Sequence, residues 1–303
     1  MFQTTNVELI DKLFIYFLVV AGIIFLLVVF FVFYYLFKYR RKQTAEEPEQ
    51  IHGNEKLEYS LTAVAILITG IFTYLTIDTM RKVQDIPDNP EPFVQIIGHQ
   101  WWWEAQYPET GVITANEIHI PVGKKVLVQL NSDDVIHSWW VAQLGRKMDM
   151  IPGITNYVWL YADKPGEYLG TCSEFCGAQH AGMRIRVIAD EERAFNSWSQ
   201  QQLEPVAQLD DPLFKKGEKL FEEKTCTNCH AINGTPFTMK VGPNLTHFAS
   251  RKHFLGDLKV NNEENLRAWL HDPQNVKPGA KMPNFIFSDQ EVDALVEYIN
   301  NLK

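Results

Sequence analysis

Cys172-Ser-Glu-Phe-Cys176-Gly-Ala-Gln-His180-Ala-Gly-Met183 places two thiols, an imidazole and a thioether in one short segment. Soft sulfur donors beside an imidazole suit copper. The same four positions fall near helical spacing and would also fit one stripe of a buried helix, but Gly177, Gly182 and the strand-like patterns on either side speak against a helix. A second cluster, Cys226-Thr-Asn-Cys229-His230, uses the remaining two of the four cysteines and has the C-x-x-C-H spacing of covalent haem c attachment. Two redox centres in one polypeptide point to electron transfer.

A thiolate carries several lone pairs and can bridge two metal ions, so Cys172 and Cys176 are suited to hold two coppers with both sulfurs shared. His180 would serve one copper. The best candidate nitrogen for the other is His137, in Asp134-Val-Ile-His-Ser-Trp139 at the start of an apolar strand. Met183 offers a weak thioether, and the main-chain carbonyl of Glu174 is a candidate for the remaining position.

The rest of the chain carries these clusters in distinct surroundings. Its 303 residues suggest two or three domains. A hydrophobic content of 46% with a mean hydropathy of -0.17 averages an apolar N-terminal part with a polar remainder. The net charge of -9 argues against nucleic acid as a partner. From Phe14 to Phe37 there is no charge, a run longer than the roughly 20 apolar residues a membrane span requires. It exceeds a signal-peptide core, and no small-residue cleavage site follows. Residues 59–79 form a second, threonine-containing apolar stretch, so residues 1–84 are expected to be a transmembrane hairpin with helices at about 14–37 and 59–79. Lys38, Arg40, Arg41, Lys42 and Lys56 between them, against Lys12 alone in the N-terminal tail, place the connecting loop in the cytoplasm. Arg81 and Lys82 oppose this, with less weight because a large domain follows.

Residues 85–190 read as short strands separated by Pro and Gly turns, at 93–97, 117–120, 125–130, 157–161, 167–171 and 184–188. A β-sandwich or barrel is expected. A polar, glutamine-rich linker over 191–209 leads to a helical domain over 210–303. There Asp211-Pro212 opens a helix running to about Thr225, and Ser288 with Glu291 has capping-box spacing.

Gly98-His-Gln-Trp-Trp-Trp103, Asp134-Val-Ile-His-Ser-Trp139, Asp149-Met-Ile-Pro-Gly153 and the complete CxExCGxxHxxM motif, preceded by a two-helix anchor, resemble subunit II of haem-copper cytochrome c oxidases. The C-terminal haem motif resembles the cytochrome c extension of caa-type members. This resemblance implies a multidomain membrane protein: a transmembrane hairpin, a cupredoxin-like copper domain and an all-α class I cytochrome c domain. It implies a binuclear CuA centre held by His137, Cys172, the Glu174 carbonyl, Cys176, His180 and Met183. Trp101 matches the aromatic residue through which an external cytochrome c passes electrons into CuA. The Glu174 carboxylate matches a ligand of a magnesium or manganese ion shared with subunit I. Glu58 matches a carboxylate at the mouth of a proton pathway, although Glu-Tyr-Ser-Leu-Thr stands where the family often has a tryptophan.

In the haem domain Cys226 and Cys229 attach the macrocycle and His230 is its proximal ligand. Met282, in Lys281-Met-Pro-Asn-Phe285, resembles the class I methionine loop and is the expected distal ligand. Met239 lies too close to the attachment site, and His247, His253 and His271 read as solvated surface residues. Gly242-Pro243 resembles the loop that backs the proximal histidine. Cytochromes c of bacteria mature outside the cytoplasmic membrane, so the N-terminus, copper domain and haem domain are expected on the periplasmic side.

The family then implies an electron-transferring oxidase subunit, working with subunit I, where oxygen is reduced, and with subunit III. The donor would be a cytochrome c or a docked respiratory complex. A CuA-containing nitric oxide reductase would use a similar subunit. A membrane-anchored copper-delivery protein would need neither Met183, the tryptophan cluster nor a haem domain, and quinol oxidases lack the copper ligands.

Overall fold

A computed structural model describes residues 6–40, 53–206 and 208–303. Two compact units divide at Asp85 and Ile86. The first holds helices α1 (Asn6–Lys38) and α2 (Glu55–Val83), both long and apolar enough to cross a membrane. Their apolar side chains face outward: Phe14, Phe25, Leu26, Ile66 and Leu67 are all exposed. A soluble protein would bury such a surface. Phe17 and Phe72 meet edge-on at 6.0 Å between the two helices.

Both helices overrun the apolar stretches that predict them. The hydrocarbon core sets the length of the apolar band, whereas backbone hydrogen bonding continues through the flanking charges. Glu8 and Lys12 pair at 2.9 Å across one turn of α1. Glu58 therefore sits inside α2 rather than before it, in the first turn, where Asn54 caps the helix and accepts from the Leu57 N–H at 3.2 Å. Arg41 and Lys42, used for the orientation, lie outside the described residues.

The second unit begins with ten strands: β1 (Val94–His99), β2 (Trp102–Gln106), β3 (Ile113–Ala115), β4 (Glu117–Pro121), β5 (Val126–Ser132), β6 (His137–Trp140), β7 (Met148–Met150), β8 (Asn156–Leu160), β9 (Gly166–Cys172) and β10 (Arg184–Asp190). They form two five-stranded sheets, ordered β3-β2-β1-β5-β8 and β4-β10-β9-β6-β7. β1 pairs with β5 and β4 with β10 in parallel; the other pairings are antiparallel. Between the sheets lies a core that includes Ile96, Val128, Leu130, Val158, Ile185 and Val187, with Trp103 and Trp139 edge-on at 5.2 Å.

The expected linker is not all linker. Its first half contains helix α3 (Glu192–Gln201), which packs Phe195 against Phe93 at 5.4 Å and stacks Trp198 on His119 at 4.0 Å. Two aromatic anchors override a composition that reads as polar connector.

The haem-motif region folds around α4 (Pro212–Glu223), a short hairpin of β11 (His253–Phe254) and β12 (Lys259–Val260), α5 (Glu263–His271), α6 (Pro273–Val276) and α7 (Asp289–Asn300). Asp211 accepts from the Leu213 and Phe214 N–H groups, and the Ser288–Glu291 capping box is formed. α4 stops before Thr225, whose φ of 61° takes the chain into the left-handed region. Gly217 lets α4 and α7 touch: a Cβ there would lie 2.0 Å from the Ala294 carbonyl oxygen. Phe214 and Phe221 pack against Tyr298 on either side of this crossing.

Candidate functional site

β6 and β9 are neighbours, with Trp139 opposite Cys172, so His137 at the start of β6 reaches the end of β9. Its Nδ1 lies 3.9 Å from Cys172 Sγ. Beyond β9 the chain folds back: Cys172 N–H donates to the Met183 carbonyl and His180 N–H to the Gly177 carbonyl, both at 3.0 Å. Gly177, at φ 113°, makes that reversal possible. The two sulfurs then stand 3.8 Å apart, with Cys176 Sγ 3.7 Å from His180 Nδ1 and 3.8 Å from Met183 Sδ. Cys172 Sγ is 3.3 Å from the Glu174 carbonyl oxygen. All six expected donors converge.

This donor set fits copper. A metal–thiolate bond is about 2.3 Å long, and 3.8 Å is less than twice that length, so both sulfurs can hold one ion together. Electrostatics also call for a cation. A hydrogen bond from Cys176 holds the Cys172 thiol well below its ordinary range. The Cys176 thiol is pushed up, first by that shared hydrogen bond and then by burial. Two thiolates this close repel one another, and a positive metal between them would let both ionise.

Asp134 holds this arrangement in place. His137 Nε2–H donates to its carboxylate at 2.9 Å, which leaves Nδ1 as the metal-facing lone pair. The Val135 and Gln100 N–H groups donate to the same carboxylate, both at 2.7 Å. Burial opposes ionisation of Asp134, but these hydrogen bonds outweigh it and hold the carboxyl below its ordinary range. Gly98 makes room for the imidazole: a Cβ there would sit 2.9 Å from the His137 ring. Asp134 and Gly98 lie in the quoted motifs without a task assigned from the sequence; for Asp134 its place three residues before His137 was the available signal, whereas Gly98 is far from every donor along the chain.

The Trp101 indole N–H donates to the Cys176 carbonyl at 2.9 Å, one residue's backbone away from a copper donor. The Glu174 side chain is exposed. Glu58 belongs to the hairpin unit, where its own carbonyl accepts from Thr62 Oγ1 at 2.8 Å.

In the haem domain His230 Nδ1–H donates to the Pro243 carbonyl at 2.7 Å. Burial lowers the imidazole's pKa, and a neutral ring with Nδ1 so engaged would have Nε2 available to hold a haem iron. Gly242 permits the contact, because a Cβ there would come within 2.6 Å of the ring. Cys226 and Cys229 are half-buried. Met282 is half-buried and packs against the helical core, whereas Met239 is exposed. Of the alternative histidines, His247 is not a solvated residue: it is buried, with Nε2 bonded to the Gln202 carbonyl at 3.1 Å. The turn after α3 brings that carbonyl onto it. His253 is half-buried, 3.7 Å from Asp257, and His271 is exposed.

The copper and haem regions lie in one compact unit, and the loop before Met282 touches the copper loop. Gln179 donates to the Pro278 carbonyl at 2.6 Å, and Lys281 stands 3.4 Å from Asp134.

Comparison with known proteins agrees with both regions. Residues 111–190 match the family described as cytochrome c oxidase subunit II, periplasmic domain, and residues 214–303 match cytochrome c. Cytochrome c oxidase subunit 2 of Alkalihalophilus pseudofirmus is 38% identical, over 94% of this chain and 85% of that protein. The namesake subunit of Bacillus sp. PS3 is 34% identical over 88% and 80% of the two chains, and that of Bacillus subtilis 33% over 88% and 81%. A copper-type donor cluster and a C-x-x-C-H domain, behind two apolar helices, thus find counterparts along most of the chain, and the chain belongs to the cytochrome c oxidase subunit 2 family.

Proposed function

We propose that this chain is the membrane-anchored subunit through which electrons enter a terminal respiratory oxidase: they arrive at haem c, pass to a binuclear CuA centre, and go on to the haem-copper centres of subunit I, where oxygen becomes water. The convergence of His137, Cys172, the Glu174 carbonyl, Cys176, His180 and Met183 carries the reading. When bound, copper and haem supply one-electron chemistry. The polypeptide supplies the conditions. Two buried thiols shut water out, Asp134 fixes the His137 ring, and a donor set held by β6 and β9 changes little between redox states. Small reorganisation favours rapid transfer.

Cys226, Cys229, His230 and Met282 hold the haem; a histidine–methionine pair raises the potential relative to two histidines. The Glu174 carboxylate reaches a magnesium or manganese ion shared with subunit I, and Glu58 stands at a proton pathway. Subunit III completes the complex, and a cytochrome c or a docked respiratory complex supplies the electrons. Both redox domains face the periplasm of a bacterial cytoplasmic membrane, with the loop between α1 and α2 in the cytoplasm. Lys38, Arg40 and Lys56 support that orientation.

Low-temperature paramagnetic resonance of the purified, copper-loaded chain tests the centre. One electron shared over two equivalent coppers is expected. A four-line mononuclear spectrum would refute the binuclear assignment.

A further inference from the structure

Lys277 is 4% exposed, and among the described residues no carboxylate pairs with it. Its ammonium donates instead to two carbonyls, of Trp101 in the copper domain at 2.9 Å and of Leu255 in the haem domain at 3.0 Å. Burying an ammonium is unfavourable unless its donors are used; burial pushes this one down to about 8. A lysine in a surface loop would ordinarily reach for water. Its position across a domain joint calls for a task.

Three segments meet at this amine. One is the turn Leu255-Gly256-Asp257, whose residues all lie in the left-handed region at φ 59°, 70° and 66°. For leucine and aspartate that conformation is uncommon and persists only where surroundings enforce it. The surroundings here come from across the joint: Arg184 N–H donates to the Gly256 carbonyl at 3.2 Å, and Arg186 Nε to Asp257 at 2.6 Å. The second segment is the methionine loop. Gln274 ties it to itself by donating to the Ala280 and Met282 carbonyls, at 2.9 and 3.3 Å, and accepting from the Gly279 N–H at 2.9 Å. The third is Gln100-Trp101, whose two side chains both donate to the Cys176 carbonyl. Lys277 thus links a loop rigidly bound to Met282 with a residue bonded to a copper donor.

Further contacts brace the joint. Glu117, 5% exposed, accepts the Lys252 and His253 N–H groups, both at 2.9 Å. Lys252 reaches Glu167 at 2.8 Å, and Arg186 also pairs with Glu167. Side chains of the copper domain grip haem-domain backbone at one place, and Lys277 returns the grip at another.

We propose that Lys277 is the positioning residue for electron transfer between the two centres, latching the methionine loop to Trp101 so that the haem domain works as a fixed part of the chain and not as a swinging carrier. This rests on the reading of the two centres given above. One electron leaves the haem iron, which is oxidised, and the copper centre is reduced by it; no proton or bond is exchanged. A fixed donor–acceptor pair transfers at a rate set by its geometry, whereas a tethered domain must first diffuse into place.

The test uses the full chain in its oxidase complex, with haem and copper loaded. The haem is reduced by one electron from a flash-excited ruthenium polypyridyl complex, with a sacrificial amine restoring the dye, and its reoxidation by copper is followed in buffers of rising glycerol content. In the wild type the rate should not change with viscosity. Lys277→Met leaves two buried carbonyls unsatisfied and should slow transfer about tenfold, make it viscosity-dependent and leave the haem and copper spectra intact. Lys277→Arg, which keeps the donors, should restore part of the rate. A viscosity-dependent wild type would overturn the latch, as would Lys277→Met transferring at wild-type speed with intact spectra. The wild-type series decides alone if the methionine variant fails to assemble. A wild type lacking either spectrum would overturn the reading of the centres and the latch with it; intact spectra confine any failure to the latch.

Discussion

In the copper domain Cys172 and Cys176 are 2% and 3% exposed and every neighbouring donor lies within 3.9 Å of one or the other sulfur. In the haem domain Cys226 and Cys229 are half-buried, and Met282, the proposed distal ligand, lies far along the chain from His230. The difference follows from the size of what is bound. Small ions can be enclosed by a loop whose shape the sheets already dictate. A macrocycle is itself part of the core, so its domain provides walls and leaves the attachment thiols within reach.

Variants that strike one centre should therefore leave the other untouched, and the largest effect is expected at the haem. Met282→Ala should abolish the low-spin histidine–methionine absorption while the copper resonance persists; an unchanged haem spectrum would place the distal ligand elsewhere. Asp134→Asn should act at the other centre. Losing the carboxylate that orients His137 is expected to weaken copper binding about 10- to 100-fold, measured by competition with a chelator. The haem spectrum should stay as it was, even though Lys281 loses its partner.

The smallest effect separates stability from redox chemistry. Glu291, bonded by Lys224 and by the Ser288 cap, has a carboxyl held down to about 2 from its usual 4.5. A depressed carboxyl stabilises the fold above its unfolded pKa and ceases to do so as pH falls through the folded one. The stability gap between wild type and Glu291→Gln should thus be full above about pH 4.5 and fade toward pH 2. Thermal melts of the haem domain across that range check it; neither centre's spectrum at neutral pH should move.

Strands with one buried face were legible from their alternation. In the strand expected over 125–130, Val126, Val128 and Leu130 recur at every second position and are buried, although Leu127 on the opposite face is buried as well. β2 escaped because Trp102, Trp103, Glu104 and Ala105 are all buried and leave no period to detect. α3 escaped because only Phe195 and Trp198 betray it within a run of serine and glutamine. The helix α5 carried signals that were passed over: Asn262 as cap, and Leu266 and Leu270 one turn apart. The metal donors were legible because short motifs carry them. Lys277 and Glu117 were not, since each binds main-chain atoms and nothing in a sequence announces which lysine will lose its water.

That preference for main-chain partners bears on how such a chain can change over time. Glu117 holds two amide N–H groups, Lys277 two carbonyls and Gln179 a third. Amides and carbonyls persist when the side chains at 252, 253, 255 or 278 are replaced, so long as the path of the chain is kept and no proline arrives where an N–H is required. The seam between the domains is consequently tolerant of drift wherever it is gripped by its backbone, and exacting at the gripping side chains, which both domains supply: Glu117 and Gln179 on one side, Lys277 on the other.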